Sequence, residues 1–140
     1  MNVKTLHACN QEQTDVFVEE FAKSITMDSI VILNGDLGTG KTYISSKIAS
    51  FFGIGDLTSS SFQRVNSHQG RVNIVHCDFY RYPCDYNFFC TEIEPLLIHP
   101  WLLLLEWIKP EKYISDFGCT TEILIHHRGG CKRELVLTNF

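Results

Sequence analysis

A chain of 140 residues with 44% apolar and 20% charged side chains can bury one core but not two, and this balance excludes a fibrous or largely disordered protein. A formal net charge of −4 and a pI near 5.8 exclude a broad basic face, so tight unaided binding to nucleic acid is not expected. The longest apolar runs, such as Trp101 to Leu105, fall far short of the roughly 20 residues that cross a bilayer. The start, Met1-Asn2-Val3-Lys4, lacks the apolar core of a signal peptide, so the sequence predicts a single-domain cytoplasmic protein with no membrane partner. The cysteines, Cys9, Cys77, Cys84, Cys90, Cys119 and Cys131, form no C-x-x-C pair and are expected to be reduced, small buried apolar residues.

In chain order, Asn10 resembles an N-cap with Gln13 three residues on. Val16, Phe17, Phe21 and Ile25 follow at helical spacing, which predicts a helix over 11–25. Ser29 to Leu33 is a continuous apolar run ending in Asn-Gly, as expected of a buried parallel strand entering a turn. A second helix is predicted from about Gly40, with Ile44, Ile48, Ala49 and Phe52 on its apolar side and Gly53 as its stop. After a polar stretch from Asp56 to Ser61, Phe62 to His68 and Arg71 to Asp78 read as two strands around Gln69-Gly70. Residues 82–91 are aromatic and irregular, and a short helix is predicted from Thr91 to Ile98. Trp101 to Glu106 is the next buried strand, and Glu122 to His127 with Glu134 to Thr138 form a hairpin around Arg128-Gly129-Gly130. The order predicts an α/β fold of the P-loop NTPase type, three-layered, with a mostly parallel central sheet and a C-terminal antiparallel edge hairpin.

Gly35-Asp36-Leu37-Gly38-Thr39-Gly40-Lys41-Thr42 matches G-x-x-x-x-G-K-[ST] in full, between a predicted strand and a predicted helix. A triphosphate needs successive backbone N–H groups wrapped closely around its oxygens, which glycines permit, and the helix N-terminus adds a positive dipole end. Lys41 is expected to reach the β- and γ-phosphates and Thr42 to ligate Mg2+, which makes ATP and magnesium the expected cofactors. Three further positions are candidates for the chemistry. Asp78 and Glu106 each close a predicted strand, where α/β sheets face their ligand crevice; either could hold magnesium, directly or through water, or position an attacking water. Ser61 lies in the loop after the second helix, where GTPase-like folds place a switch hydroxyl on the metal.

Taken together, the loop from Gly35 to Thr42, then Ser59-Ser60-Ser61-Phe62, His76-Cys77-Asp78-Phe79-Tyr80-Arg81 and Glu106-Trp107 resemble in order and spacing the TsaE (YjeE) family. That family is the ATPase component of the bacterial machinery that makes threonylcarbamoyladenosine in tRNA. The resemblance implies a magnesium-dependent ATPase, with Thr42 and Glu106 at the metal and Ser61 as the switch hydroxyl. Asp78 would stand behind the metal or on the nucleophile, with Tyr80 and Arg81 flanking. By the same resemblance the adenine contacts are Gln11 and Lys132 or Arg133, and the partners are TsaB-like and TsaD-like proteins, with tRNA reached indirectly through them. Two departures stand out. Ser60 replaces the family's proline and its fixed φ. Tyr86-Asn87-Phe88-Phe89 replaces an acidic Glu-Glu-Leu stretch, as part of the core or as an exposed contact patch.

The competing readings are a small-molecule kinase, which lacks support in an arginine-bearing lid, and a nucleotide-binding scaffold without significant turnover. A GTPase would need an Asn-Lys-x-Asp segment, and none occurs. Asp116-Phe117-Gly118 matches a kinase triplet but stands without the other kinase signatures and reads as a turn; Trp107 reads as core or pocket wall.

Overall fold

Ile30–Leu33 and Leu102–Leu105 are apolar at every position, so they can be stable only where both faces are covered. In the computed structural model, which describes residues 2–55, 57 and 64–140, they form the centre of a sheet, and all eight side chains are at most 1% exposed. Ser61, with Ser59, Ser60, Phe62 and most of the polar stretch before them, lies outside the described residues.

The strands in chain order are β1 (Asn2–Ala8), β2 (Ser29–Gly35), β3 (Val65–His68), β4 (Asn73–Asp78), β5 (Trp101–Glu106), β6 (Cys119–His127) and β7 (Arg133–Asn139). They lie side by side as β1-β7-β6-β2-β5-β4-β3. β6, β2, β5 and β4 are mutually parallel, while β3, β7 and β1 join antiparallel. Alternation along β2 divides the core in two. Val31 and Leu33 pack with Val18 of α1 (Gln11–Ser24) and with Ile44, Ile48 and Ala49 of α2 (Lys41–Phe51). Ile30 and Ile32 face the other way, onto Phe89, Ile93 and Ile114. Helices therefore cover both faces, giving the three layers that the order of elements predicts.

α1 starts where the sequence places it because the Asn10 side chain accepts the Gln13 N–H at 2.9 Å, while Gln13 returns the contact to the Cys9 N–H at 2.7 Å. The short helix expected over 91–98 begins earlier. The Asp85 carboxylate accepts the Phe88 N–H at 2.7 Å, starting α3 (Tyr86–Phe88). The chain then passes through a π turn (Phe89–Ile93) and a 3-10 turn (Glu94–Leu96). Of the four residues at 86–89, Phe89 is core at 0% exposure, Phe88 is half-buried and Tyr86 and Asn87 are exposed. The triplet Asp116-Phe117-Gly118 follows α4 (Lys112–Ser115): Asp116 pairs with Lys112, Phe117 packs 4.9 Å from Phe89, and the segment is a structural turn.

Two expectations are corrected. The C-terminal hairpin is not the edge of the sheet, because β1, which the apolar pattern does not reveal, pairs along the whole of β7 from Asn2↔Asn139 to Ala8↔Arg133. The cysteines are all free, but only Cys77 is buried; Cys9, Cys119 and Cys131 are exposed. Burial pushes the Cys77 thiol well above the usual range, which makes it inert. No helix among the described residues is long and apolar enough to cross a membrane.

Candidate functional site

The loop grows out of β2 at Gly35, whose Cα partner is Ile125 of β6. A Cβ at Gly35 would lie 2.6 Å from the Ile125 carbonyl oxygen and 2.8 Å from Thr39 Oγ1, so only glycine lets the chain turn here. Both the N–H and the hydroxyl of Thr39 donate to the Asp36 carbonyl, at 3.3 and 2.9 Å, closing the loop on itself. Arg133 Nε clamps it from β7 by donating to the Thr39 carbonyl at 3.0 Å. Gly40 then caps α2 at φ 106, and among the described residues no side-chain cap bonds the first N–H groups. These are the free donors and the dipole end that an anion needs.

Lys41, 5% exposed, folds back over the loop: Nζ donates to the Gly35 and Asp36 carbonyls at 2.7 and 2.8 Å and sits 4.1 Å from the centre of the Trp107 ring. Burial holds its amine below the usual lysine range, against the opposing pull of the Glu106, Asp78 and Asp36 charges. Trp107 turns through a left-handed backbone at φ 61 immediately after β5, which lays its ring against Tyr80 at 4.8 Å and makes it the pocket wall.

The two carboxylates expected at strand ends are brought side by side, because β4 and β5 are parallel neighbours with Asp78 opposite Glu106. The Thr42 hydroxyl donates to Glu106 Oε1 at 3.1 Å, and Glu106 Oε2 meets His76 Nε2 at 2.5 Å. Asp78 serves in two ways: its Oδ1 caps the following turn by accepting the Tyr80 N–H at 2.9 Å, and its side chain lines the same cavity as Lys41, Thr42 and Glu106. That cavity holds about 320 Å³ over the loop, with Leu37, Gly38, Tyr80 and Trp107 on its rim. Arg81 is exposed beside it and is not part of its lining.

A second cavity, of about 180 Å³, opens on the other side of Gly40, between the start of α1 and the C-terminal hairpin. Gln11 lines it and donates through Nε2 to the Tyr43 hydroxyl at 2.8 Å; that hydroxyl donates in turn to Asp15 Oδ1 at 2.5 Å. Of the two basic candidates on the hairpin, Arg133 lines this cavity, whereas Lys132 is exposed in the turn and does not. Asp15 and Cys131 carry no signal of a site in the sequence, and His76 stands there only as the first residue of the segment that runs to Arg81. Tyr43 alone had a pointer, since it follows Lys41-Thr42 on a helix whose first turn faces the ligand.

Among the described residues no group of three His, Cys, Asp or Glu side chains gathers as a metal cage. The donors present are hard oxygens, Thr42 Oγ1 and the carboxylates of Glu106 and Asp78, grouped around one cavity next to a phosphate-type loop. That donor set fits magnesium shared with a nucleotide and does not fit a softer metal.

The family model for "Threonylcarbamoyl adenosine biosynthesis protein TsaE" matches residues 8–135. A tRNA threonylcarbamoyladenosine biosynthesis protein TsaE from Rickettsia bellii is 32% identical over 109 residues, covering 75% of this chain and 74% of its own length. The protein of the same description from Rickettsia typhi is 32% identical over 114 residues, 78% of each chain. Among solved structures, YdiB of Bacillus subtilis superposes with a TM-score of 0.73 at 22% identity, over 99% of this chain and 86% of that one, which shows the same fold. With the loop, the paired carboxylates and the strand order in place, these matches make the chain a member of the TsaE family, built on a P-loop NTPase fold.

Proposed function

We propose that this protein binds ATP with magnesium on the loop from Gly35 to Thr42 and hydrolyses it, slowly when alone, in support of tRNA threonylcarbamoyladenosine synthesis with TsaB-like and TsaD-like partners. Membership of the TsaE family supports the role in tRNA modification. The observation that carries the nucleotide reading is the contact between Thr42 Oγ1 and Glu106 Oε1 at 3.1 Å beside a loop that holds a buried lysine.

Each side chain has a task that its surroundings explain. Lys41 is stored on two loop carbonyls and a tryptophan face, and phosphate oxygens are stronger acceptors for it than neutral carbonyls. Thr42 and Glu106 would hold magnesium, with Asp78 close behind, and Trp107 and Tyr80 exclude water from one side. Bound magnesium supplies neutralisation of charge on the phosphate oxygens during transfer. Asp78, its Oδ1 engaged by the Tyr80 N–H, keeps Oδ2 to orient an attacking water. Ser61, as the switch hydroxyl, would complete the set. Gln11, Tyr43 and Arg133 would frame the base in the second cavity.

The test is replacement in a bacterium depleted of its own TsaE. The wild-type chain restores threonylcarbamoyladenosine in bulk tRNA, and Lys41→Ala does not. In calorimetry the same variant binds ATP more than about tenfold more weakly, since it loses a charge-assisted contact to phosphate. Equal ATP affinity of wild type and Lys41→Ala removes the loop assignment; restoration by Lys41→Ala removes the need for nucleotide.

A further inference from the structure

His76 belongs to the sequence segment that ends in Asp78, yet none of the roles above uses it. It lies on β4 on the same face as Ile74, and the register His76↔Leu104 and Asp78↔Glu106 puts it one step behind the Glu106 carboxylate. Both side chains are sealed from solvent, at 1% and 2% exposure. A carboxylate in such a place needs donors on both oxygens. Thr42 provides one to Oε1 and His76 Nε2 the other, at 2.5 Å from Oε2. The opposite ring nitrogen, Nδ1, is buried and has no hydrogen-bond partner among the described residues. An apolar side chain would fill the same space without that unmatched atom, so what the imidazole adds here is a single directed N–H toward Glu106.

We propose that His76 is a positioning residue for Glu106. Its Nε2–H fixes Oε2, and so leaves Oε1 as the oxygen offered to Thr42 and the loop. Without it, Glu106 is free to rotate toward Lys41, whose amine already feels its charge, and to form an ion pair that withdraws both groups from the ligand. The inference rests on the reading that Thr42 and Glu106 serve a magnesium-bound nucleotide. It makes the strand pair β4–β5, and not the loop alone, responsible for the magnesium dependence of binding.

The test compares ATP affinity by calorimetry with magnesium and with EDTA, and takes the ratio for wild type, His76→Leu, His76→Gln and His76→Asn, with thermal melts of each. A glutamine amide reaches to about where imidazole Nε2 lies, whereas asparagine mimics Nδ1. The ratio is expected to fall by about tenfold or more in His76→Leu and His76→Asn, the loss typical of removing a group that orients a metal ligand, and to stay within about threefold of wild type in His76→Gln. A wild-type ratio preserved in His76→Leu, or restored equally by asparagine and glutamine, overturns the proposal and leaves His76 as core filling. If His76→Leu does not fold, the comparison of Gln with Asn decides. A wild type whose affinity ignores magnesium overturns the nucleotide–magnesium reading itself, and this inference with it.

Discussion

Lys41 shows most directly how a residue can be poised before its ligand arrives. Burial depresses its pKa below the usual 10.5, against the carboxylates of Glu106, Asp78 and Asp36, and the negative charge of bound phosphate would push it back up. The sign of the linkage follows. Between the lowered value and that of the unfolded chain, the unfolded state holds more protons than the folded one, so this group's contribution to stability rises with pH in the alkaline range. In the same window the proposed binding of ATP would take up a proton. Calorimetry near the alkaline end, in two buffers of different ionisation enthalpy, is expected to show net proton uptake in wild type and none in Lys41→Arg, whose guanidinium stays charged throughout. Both Lys41 and Thr42 were legible from the sequence because their neighbours in the loop are also their neighbours in the chain. The partnership of Glu106 with His76 was not, because 30 residues separate them and only the parallel register of β4 and β5 joins them.

At the scale of elements, the segment from Tyr86 to Leu96 is fastened to the fold by an aromatic anchor. Phe89 packs between Tyr113 and Phe117 at 5.8 and 4.9 Å, whereas Tyr86 rests on the outside against Tyr113 at 5.7 Å. Phe89→Ala is therefore expected to cost about 3–5 kcal/mol in denaturant unfolding, and Tyr86→Ala under about 1 kcal/mol. Equal costs would mean that the segment is not anchored through Phe89. The composition of residues 86–89 gave both possibilities, core and surface, since only the Asp85 cap settles which side faces in. β1 was illegible for the opposite reason. Only Ala8 of its seven residues is buried, and its order comes from hydrogen bonds to β7, not from a stripe of apolar side chains. The buried strands β2 and β5 were plain because an unbroken apolar run has few other places to go.

For the whole molecule, a net charge of −4 leaves little to attract a polyanion, and any positive charge is local: Lys41 is committed to the loop and Arg133 to the Thr39 carbonyl. Titration of tRNA into the isolated chain at physiological salt is expected to show no saturable binding; submicromolar binding would place tRNA recognition in this protein itself. The strand order carries a different consequence, for synthesis. β2, from which the loop springs, waits for both of its neighbours: β5 begins at residue 101 and β6 at residue 119. Gly35 turns against Ile125, and Thr39 is clamped by Arg133. On the ribosome, a nascent chain that already displays the complete motif from Gly35 to Thr42 still lacks the walls that shape it, so the loop reaches its folded form only once the residues as far as Arg133 have emerged.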